Sequence, residues 1–189
     1  MPTDDELRTA LERAMVGFAE LVTTLTDADL DRASMCDGWT IRDVIEHVVG
    51  GDRFAAIVLD SGTLADAIGA VMGVDHLAPD RDVSLADAAA AARSGFAESL
   101  DRLVDHPVGT VPARRFIGFR VLDQLGHTWD IAAALGQVTT LDPVAVQVGL
   151  EIVELEQDML ETSEHFSTPP GDPVTQDRQA RFLQAIGRG

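Results

Sequence analysis

The sequence predicts an all-α protein, a four-helix bundle with accessory short helices, and three observations carry that expectation. Apolar residues recur at three- and four-residue spacing through the long segments of the chain. Most of these segments open on a Thr, Ser or Asp placed as a helix cap. No convincing alternating strand pattern, no tyrosine and no repeat with a period of tens of residues is visible.

Thr3 and Glu6 have capping-box spacing, and Leu7, Leu11, Phe18, Leu21, Val22 and Leu25 follow at helical intervals, which makes the first helix. The polar stretch "TDADLDRASMCDGW" separates it from a second helix. That helix is signalled by Thr40 with Asp43 and by Ile41, Val44, Ile45 and Val48, and it runs past Gly50 and Gly51. The segment from Leu59 to Arg81 is rich in Gly and Asp and reads as a short helix within a long connection. Ser84 and Asp87 open a third long helix through the alanine run, with His106 and Pro107 in its exit. Pro112 suits the first turn of a fourth, which passes Arg120 and His127 and stops at Gly136. Asp142 and Pro143 open a fifth, with Val144, Val148, Ile152, Leu155 and Met159 on its apolar side and "HFSTPPGDP" as its end. A short amphipathic helix in "VTQDRQARFLQAIGRG" comes last.

A chain of 189 residues fits one domain over 1–189. Its 14 basic and 32 acidic residues give a net charge of -18, a field that repels nucleic acid and anionic membrane surfaces. The N-terminus is acidic and lacks the apolar run of a signal peptide, and no segment has the length and hydropathy of a membrane span, so a cytoplasmic protein is expected. Cys36 is the sole cysteine, which excludes an internal disulfide and any multi-cysteine zinc site. A metal would need histidine and carboxylate ligands.

The fourth helix carries such groups. Val121, Leu122, Leu125, Trp129, Ala132 and Ala133 form its expected packing face. The other side holds Phe116, Arg120, Asp123, Gln124, His127, Asp130 and Ile131. Spacing alone allows a solvated face with an Arg120–Asp123 ion pair and an exposed His127. Phe116 and Ile131 interrupt that face and suit a cavity wall instead. Asp123 and His127, at i and i+4, can reach one ion, with His47 as the best third ligand because Gly50 and Gly51 follow it by a helical turn. Asp43 is accounted for by capping.

The segments "CDGWTIRDVIEHVVGGD" and "VLDQLGHTWDIAAALG" resemble the paired motifs of the mycothiol-dependent maleylpyruvate isomerase N-terminal domain family, within the DinB-like superfamily. Over most of its length the chain also resembles stand-alone actinobacterial proteins often described only as metal-binding, including its ending "DRQARFLQAIGR". The resemblance implies a DinB-like four-helix bundle holding a divalent metal, zinc or sometimes nickel, on His47, Asp123 and His127. Asp123 stands where the isomerase has Glu, and the isomerase's additional C-terminal domain and substrate arginine have no counterpart that the motifs can place.

By the same resemblance, a mycothiol-like thiol is the expected cosubstrate, for thiol transfer to, or isomerisation of, a small electrophile. Arg120 is a candidate contact for an anionic substrate, against the alternative of an ion pair with Asp123. Asp130 is a candidate orienting acceptor for His127, or else a surface carboxylate. Cys36 reads as a half-buried loop residue or a reactive thiol. His76, His106 and His165 read as structural or exposed, with His165 bordering a pocket. A non-catalytic metal-binding or small-molecule-binding module, with a homodimer left open, and a purely helical interaction domain are the competing readings.

Overall fold

The structure, a computed structural model, describes residues 1–156 and 177–188. Four long helices form the bundle: α1 (Asp4–Thr23), α3 (Ile41–Leu59), α5 (Arg81–Phe96) and α6 (Ala113–Ala134). α1 packs on α5 and α6, and α3 packs on the same two, so α1 and α3 lie across the bundle from each other. α7 (Pro143–Leu155) covers α1 and α6, and α8 (Arg178–Ala185) packs on α7. The short helices α2 (Asp27–Leu30) and α4 (Leu64–Val71) lie in the connections before and after α3. This is the predominantly helical, DinB-like arrangement expected from the sequence. Among the described residues no helix is long and apolar enough to cross a membrane.

Local chemistry sets the helix starts. Thr3 and Thr40 each accept a hydrogen bond from the backbone N–H three residues on, and the Glu6 and Asp43 carboxylates in turn accept from the backbone N–H of the cap residue. Asp142 caps α7 ahead of Pro143, whose missing N–H costs nothing at that position. α5 differs from expectation. It starts at Arg81, one turn before Ser84, because Asp80 directly after Pro79 accepts from Val83 N–H at 3.0 Å. Ser84, expected as the cap, lies inside the helix with its hydroxyl donating to the Ala78 carbonyl at 3.2 Å. The polar stretch after α1 also hides α2, which Thr26 and Asp29 close with their own capping box.

The expectation that no strand is present is corrected by a small antiparallel hairpin, β1 (Leu103–His106) and β2 (Gly109–Pro112). With four residues per strand, only the Val104–Val111 pair turns into the core, so there was too little alternation to read. His106 therefore belongs to a strand, not to a helix exit. There it packs its ring 4.8 Å from Phe116 and 5.3 Å from Phe119. Burial, with Arg115 and Arg120 nearby, pushes its pKa down to about 4. Met159, His165 and the loop "HFSTPPGDP" lie outside the described residues.

The largest departure lies in α6. Val121, Leu122, Leu125 and Ala132 of its expected apolar face are buried, with Trp129 and Ala133 partly so, but so are Phe116, Arg120, Gln124, His127, Asp130 and Ile131 on the opposite side. α3 covers the polar face, which places a charged network inside the bundle. Removing the cap that starts α3, with Thr40→Ala, should lower the unfolding free energy by about 1 kcal/mol. The shift of the urea midpoint measures this, and an unchanged midpoint would refute the capping role.

Candidate metal centre

His47 projects from α3 while Asp123 and His127 project from α6, so three side chains meet at the α3–α6 seam. Asp123 Oδ1 lies 3.1 Å from His47 Nε2 and 3.2 Å from His127 Nε2. Neighbouring ligands of one tetrahedral zinc, each about 2.0–2.1 Å from the ion, stand about 3.3 Å apart. The two histidine nitrogens and the carboxylate oxygen all lie within 4.8 Å of one another. The donor set thus fits a divalent ion of the zinc type. The His47 side chain is 41% exposed and that of His127 only 10%, so the site opens to solvent on the α3 side. Trp39 roofs it, with its ring 5.2 Å from His47 and stacked 6.5 Å from His127.

Behind Asp123 stands Arg120, and it points inward. Its Nη1 donates to Asp123 Oδ2 at 2.6 Å, while Nε and Nη2 donate to Asp52 Oδ1 at 3.0 and 2.7 Å. Nη2 also donates to the Val48 carbonyl at 3.0 Å. The guanidinium is buried and every nitrogen has a partner, so the arginine considered as a substrate contact is here a bridge between α3 and α6. Gln124 completes the cluster by donating to Asp52 Oδ2 at 2.9 Å.

The glycines after His47 serve this bridge. A Cβ at Gly51 would collide with Arg120 Nη1, and one at Gly50 would come within 3.0 Å of His76 Nε2. The space read from the sequence as room beside the imidazole is filled by these two side chains. His76 is buried as a structural residue, with Nδ1 at 3.0 Å from Arg53 Nη1 and Nε2 at 2.9 Å from the Val71 carbonyl oxygen.

On its far side His127 donates from Nδ1 to Asp130 Oδ2 at 2.9 Å, the contact expected of an orienting acceptor. Asp130 is buried and receives the Arg188 guanidinium on both oxygens. Cys36 is half-buried in the loop before α3, and its thiol donates to Asp130 Oδ2 at 3.4 Å.

These contacts shift the charges. Burial opposes a charge on Asp123, but His47, Arg120 and His127 override it and hold the carboxyl well below the usual range. Burial likewise opposes a charge on His127, yet Asp123, with hydrogen bonds to Asp123, Asp130 and Cys36, holds its pKa well above the ordinary value. Asp130 is lowered to about 2 because hydrogen bonds from His127 and Arg188 outweigh its burial. Asp52 goes the other way, since burial pushes it up against the pull of Arg120.

Asp52, Trp39 and Arg188 were not singled out from the sequence. A lone Asp on the inner face of α3, after Val48 and Val49, was a signal for Asp52. Trp39 and Arg188 lie within the segments that carry the family resemblance, but no spacing rule gave either a role.

The fold and this side-chain set define a helical-bundle protein with a His–His–Asp candidate metal centre at the seam of two helices. The chain belongs to the mycothiol maleylpyruvate isomerase N-terminal domain family, whose sequence profile matches residues 11–132. Two uncharacterized proteins of Mycobacterium tuberculosis, from strains CDC 1551 and ATCC 25618, are each 39% identical over 140 residues, covering 71% of this chain and 70% of theirs. The crystal structures of the mycothiol-dependent maleylpyruvate isomerase and of a histidine-to-alanine mutant of it each match with a TM-score of 0.64 at 17% identity. Each match covers 90% of this chain and 74% of the other. At that identity the likeness is one of fold.

Two outcomes follow for stability. Arg120→Met leaves Asp52 buried without its cation and takes the anchor from Asp123 Oδ2; it should cost about 3–5 kcal/mol, with the Asp52 share restored by a further Asp52→Leu change. Urea unfolding of the single and double variants measures this, and strictly additive losses would refute the pairing. Because the folded Asp130 carboxyl ionises at about 2 instead of the ordinary 3.8, its contribution is present above the unfolded value and is lost as pH falls through the folded one. That contribution is about 2 kcal/mol. Asp130→Asn should flatten the stability profile between pH 4 and 2, and an unaltered profile would contradict the assignment.

Proposed function

We propose that the chain, read as one domain over 1–189, binds a divalent metal, zinc first and nickel as the alternative, through His47, Asp123 and His127. The observation that carries this reading is the approach of two imidazole nitrogens to one carboxylate oxygen at 3.1 and 3.2 Å, in a site open to solvent. Three protein donors leave a coordination position for an exogenous group. An ion held there would lower the pKa of a bound water or thiol by several units.

The reaction class is thiol transfer to, or thiol-assisted isomerisation of, a small electrophile, with a mycothiol-like thiol as cosubstrate. Family membership and the fold shared with the mycothiol-dependent maleylpyruvate isomerase support this choice. In this chain Asp123 divides its carboxylate, with Oδ2 anchored by Arg120 and Oδ1 left to face the imidazoles. Asp130 holds the Nδ1 proton of His127, which turns Nε2 toward Asp123. Trp39 shields the ring faces while His47 stays accessible, so a small molecule can approach from that side.

Arg120 acts in this scheme by positioning Asp123, since its guanidinium is fully engaged inside the bundle. The same observation favours one competing reading, a non-catalytic metal-binding module, because the cationic group considered for an anionic substrate does not face solvent. We place the protein in the cytoplasm, with small molecules rather than nucleic acid or membranes as partners, and name a homodimer as the alternative to a monomer.

Metal analysis of the purified chain should find about one equivalent of zinc or nickel, lost in the His47→Ala, His127→Ala double variant. Equal metal in both proteins would end the assignment. Thiol consumption with electrophilic substrates by the loaded protein then separates catalysis from simple binding. The raised pKa of His127 means that the metal must displace a proton. Affinity should therefore rise with pH and fall as the solution is acidified, by up to about tenfold per pH unit for one displaced proton. A chelator competition series across pH 6 to 8 checks this, and a flat profile would count against His127 as a ligand.

A further inference from the structure

We propose that Arg188 is a positioning residue for the candidate metal centre, acting through Asp130 to fix the imidazole of His127. The proposal rests on the metal-binding reading above and adds the C-terminal helix to the site. Arg188 follows α8 after Ile186 and Gly187, 58 residues from Asp130 in sequence. Its Nε donates to Asp130 Oδ1 at 2.7 Å and its Nη2 to Oδ2 at 2.8 Å. Its remaining terminal nitrogen, Nη1, donates to the Ile186 carbonyl at 3.1 Å. The side chains of Arg188 and Asp130 are only 15% and 2% exposed, so solvent screens this pair little.

Packing brings the guanidinium there. Phe182, Leu183 and Ile186 bury the inner face of the α8 region. A Cβ at Gly149 on α7 would come within 2.9 Å of Phe182. A Cβ at Gly126 on α6 would come within 3.3 Å of Ile186 and 3.4 Å of Arg188 Cζ. These two glycines let α8 lie close enough for Arg188 to reach Asp130 on α6.

The effect on the site follows from the torsional freedom of a carboxylate. The last torsion of Asp is broad, so one hydrogen bond leaves the carboxylate plane free to turn. A two-pronged guanidinium contact fixes both oxygens and hence the plane. Oδ2 is then held where it accepts the Nδ1 proton of His127 at 2.9 Å, and the ring keeps Nε2 on Asp123. The Cys36 thiol shares the same oxygen at 3.4 Å, a longer contact that does not replace the fork.

The test is a zinc titration of the full chain against a chromophoric chelator, using wild type, Arg188→Ala, Arg188→Lys, Asp130→Asn and the Arg188→Ala, Asp130→Asn double variant. Loss of the outer contact should weaken zinc binding by about 10- to 100-fold in Arg188→Ala. Lysine keeps the charge but not the fork, so Arg188→Lys should also bind less tightly than wild type, and it serves as the reading if the alanine variant does not fold. Because Arg188 acts through Asp130, the double variant should bind no more weakly than Asp130→Asn alone. Additive losses would overturn the proposal, since Arg188 would then act by another route. Wild-type affinity in Arg188→Ala, with zinc lost in His47→Ala, would overturn the proposal while the metal reading stands. Failure of the wild type to bind zinc or nickel would bring down both.

Discussion

The site depends on one buried guanidinium. Arg120 enters from α6, meets Asp52 and the Val48 carbonyl on α3, and reaches back to Asp123 one turn along its own helix. Because a buried charge is tolerated only when paired and hydrogen-bonded, this contact fixes how α3 and α6 align along their seam. His47 on one helix and His127 on the other then face a single carboxylate oxygen. Gly51 makes the contact possible, since any side chain there would occupy the guanidinium's place.

From that bridge the polar groups extend in both directions in alternating charge. Asp52 meets Arg120, Arg120 meets Asp123, Asp123 meets His47 and His127, and His127 meets Asp130, which Arg188 closes off. Each carboxylate lies beside a cationic or proton-donating group, which offsets the cost of burying it within an otherwise apolar bundle. Such a chain can rigidify the groups at its centre more than any one pair would. A metal ion entering at His47, Asp123 and His127 would replace a proton already held there, so the same side chains serve both states.

Much of this could be read from particular residues. Thr3, Thr40 and Asp142 announced their helices because a cap acts within three residues and needs no distant partner. Asp123 and His127 were legible as a pair because helix geometry alone puts i and i+4 on one face. Asp130 was legible as a candidate orienting group for the same reason. Ser84 misled because the stronger cap, Asp80, lay one turn earlier beside Pro79. The hairpin escaped notice because strands of four residues hold too few alternations to distinguish from a loop.

Long-range choices were beyond the sequence pattern. Whether the polar face of α6 met water or protein depended on α3 packing over it, and that decision turned Arg120 from a candidate substrate contact into a buried bridge. The role of Gly51 could be seen only once a guanidinium 69 positions further along the chain was found against it. Arg188 reaches Asp130 only because α8 settles where Gly126 and Gly149 allow it. The sequence by itself determined the long helices, most of their caps and the types of side chain at the candidate site, since these follow from local backbone and side-chain chemistry. The tertiary structure alone decided which charges were buried together, because that depends on which helix faces meet.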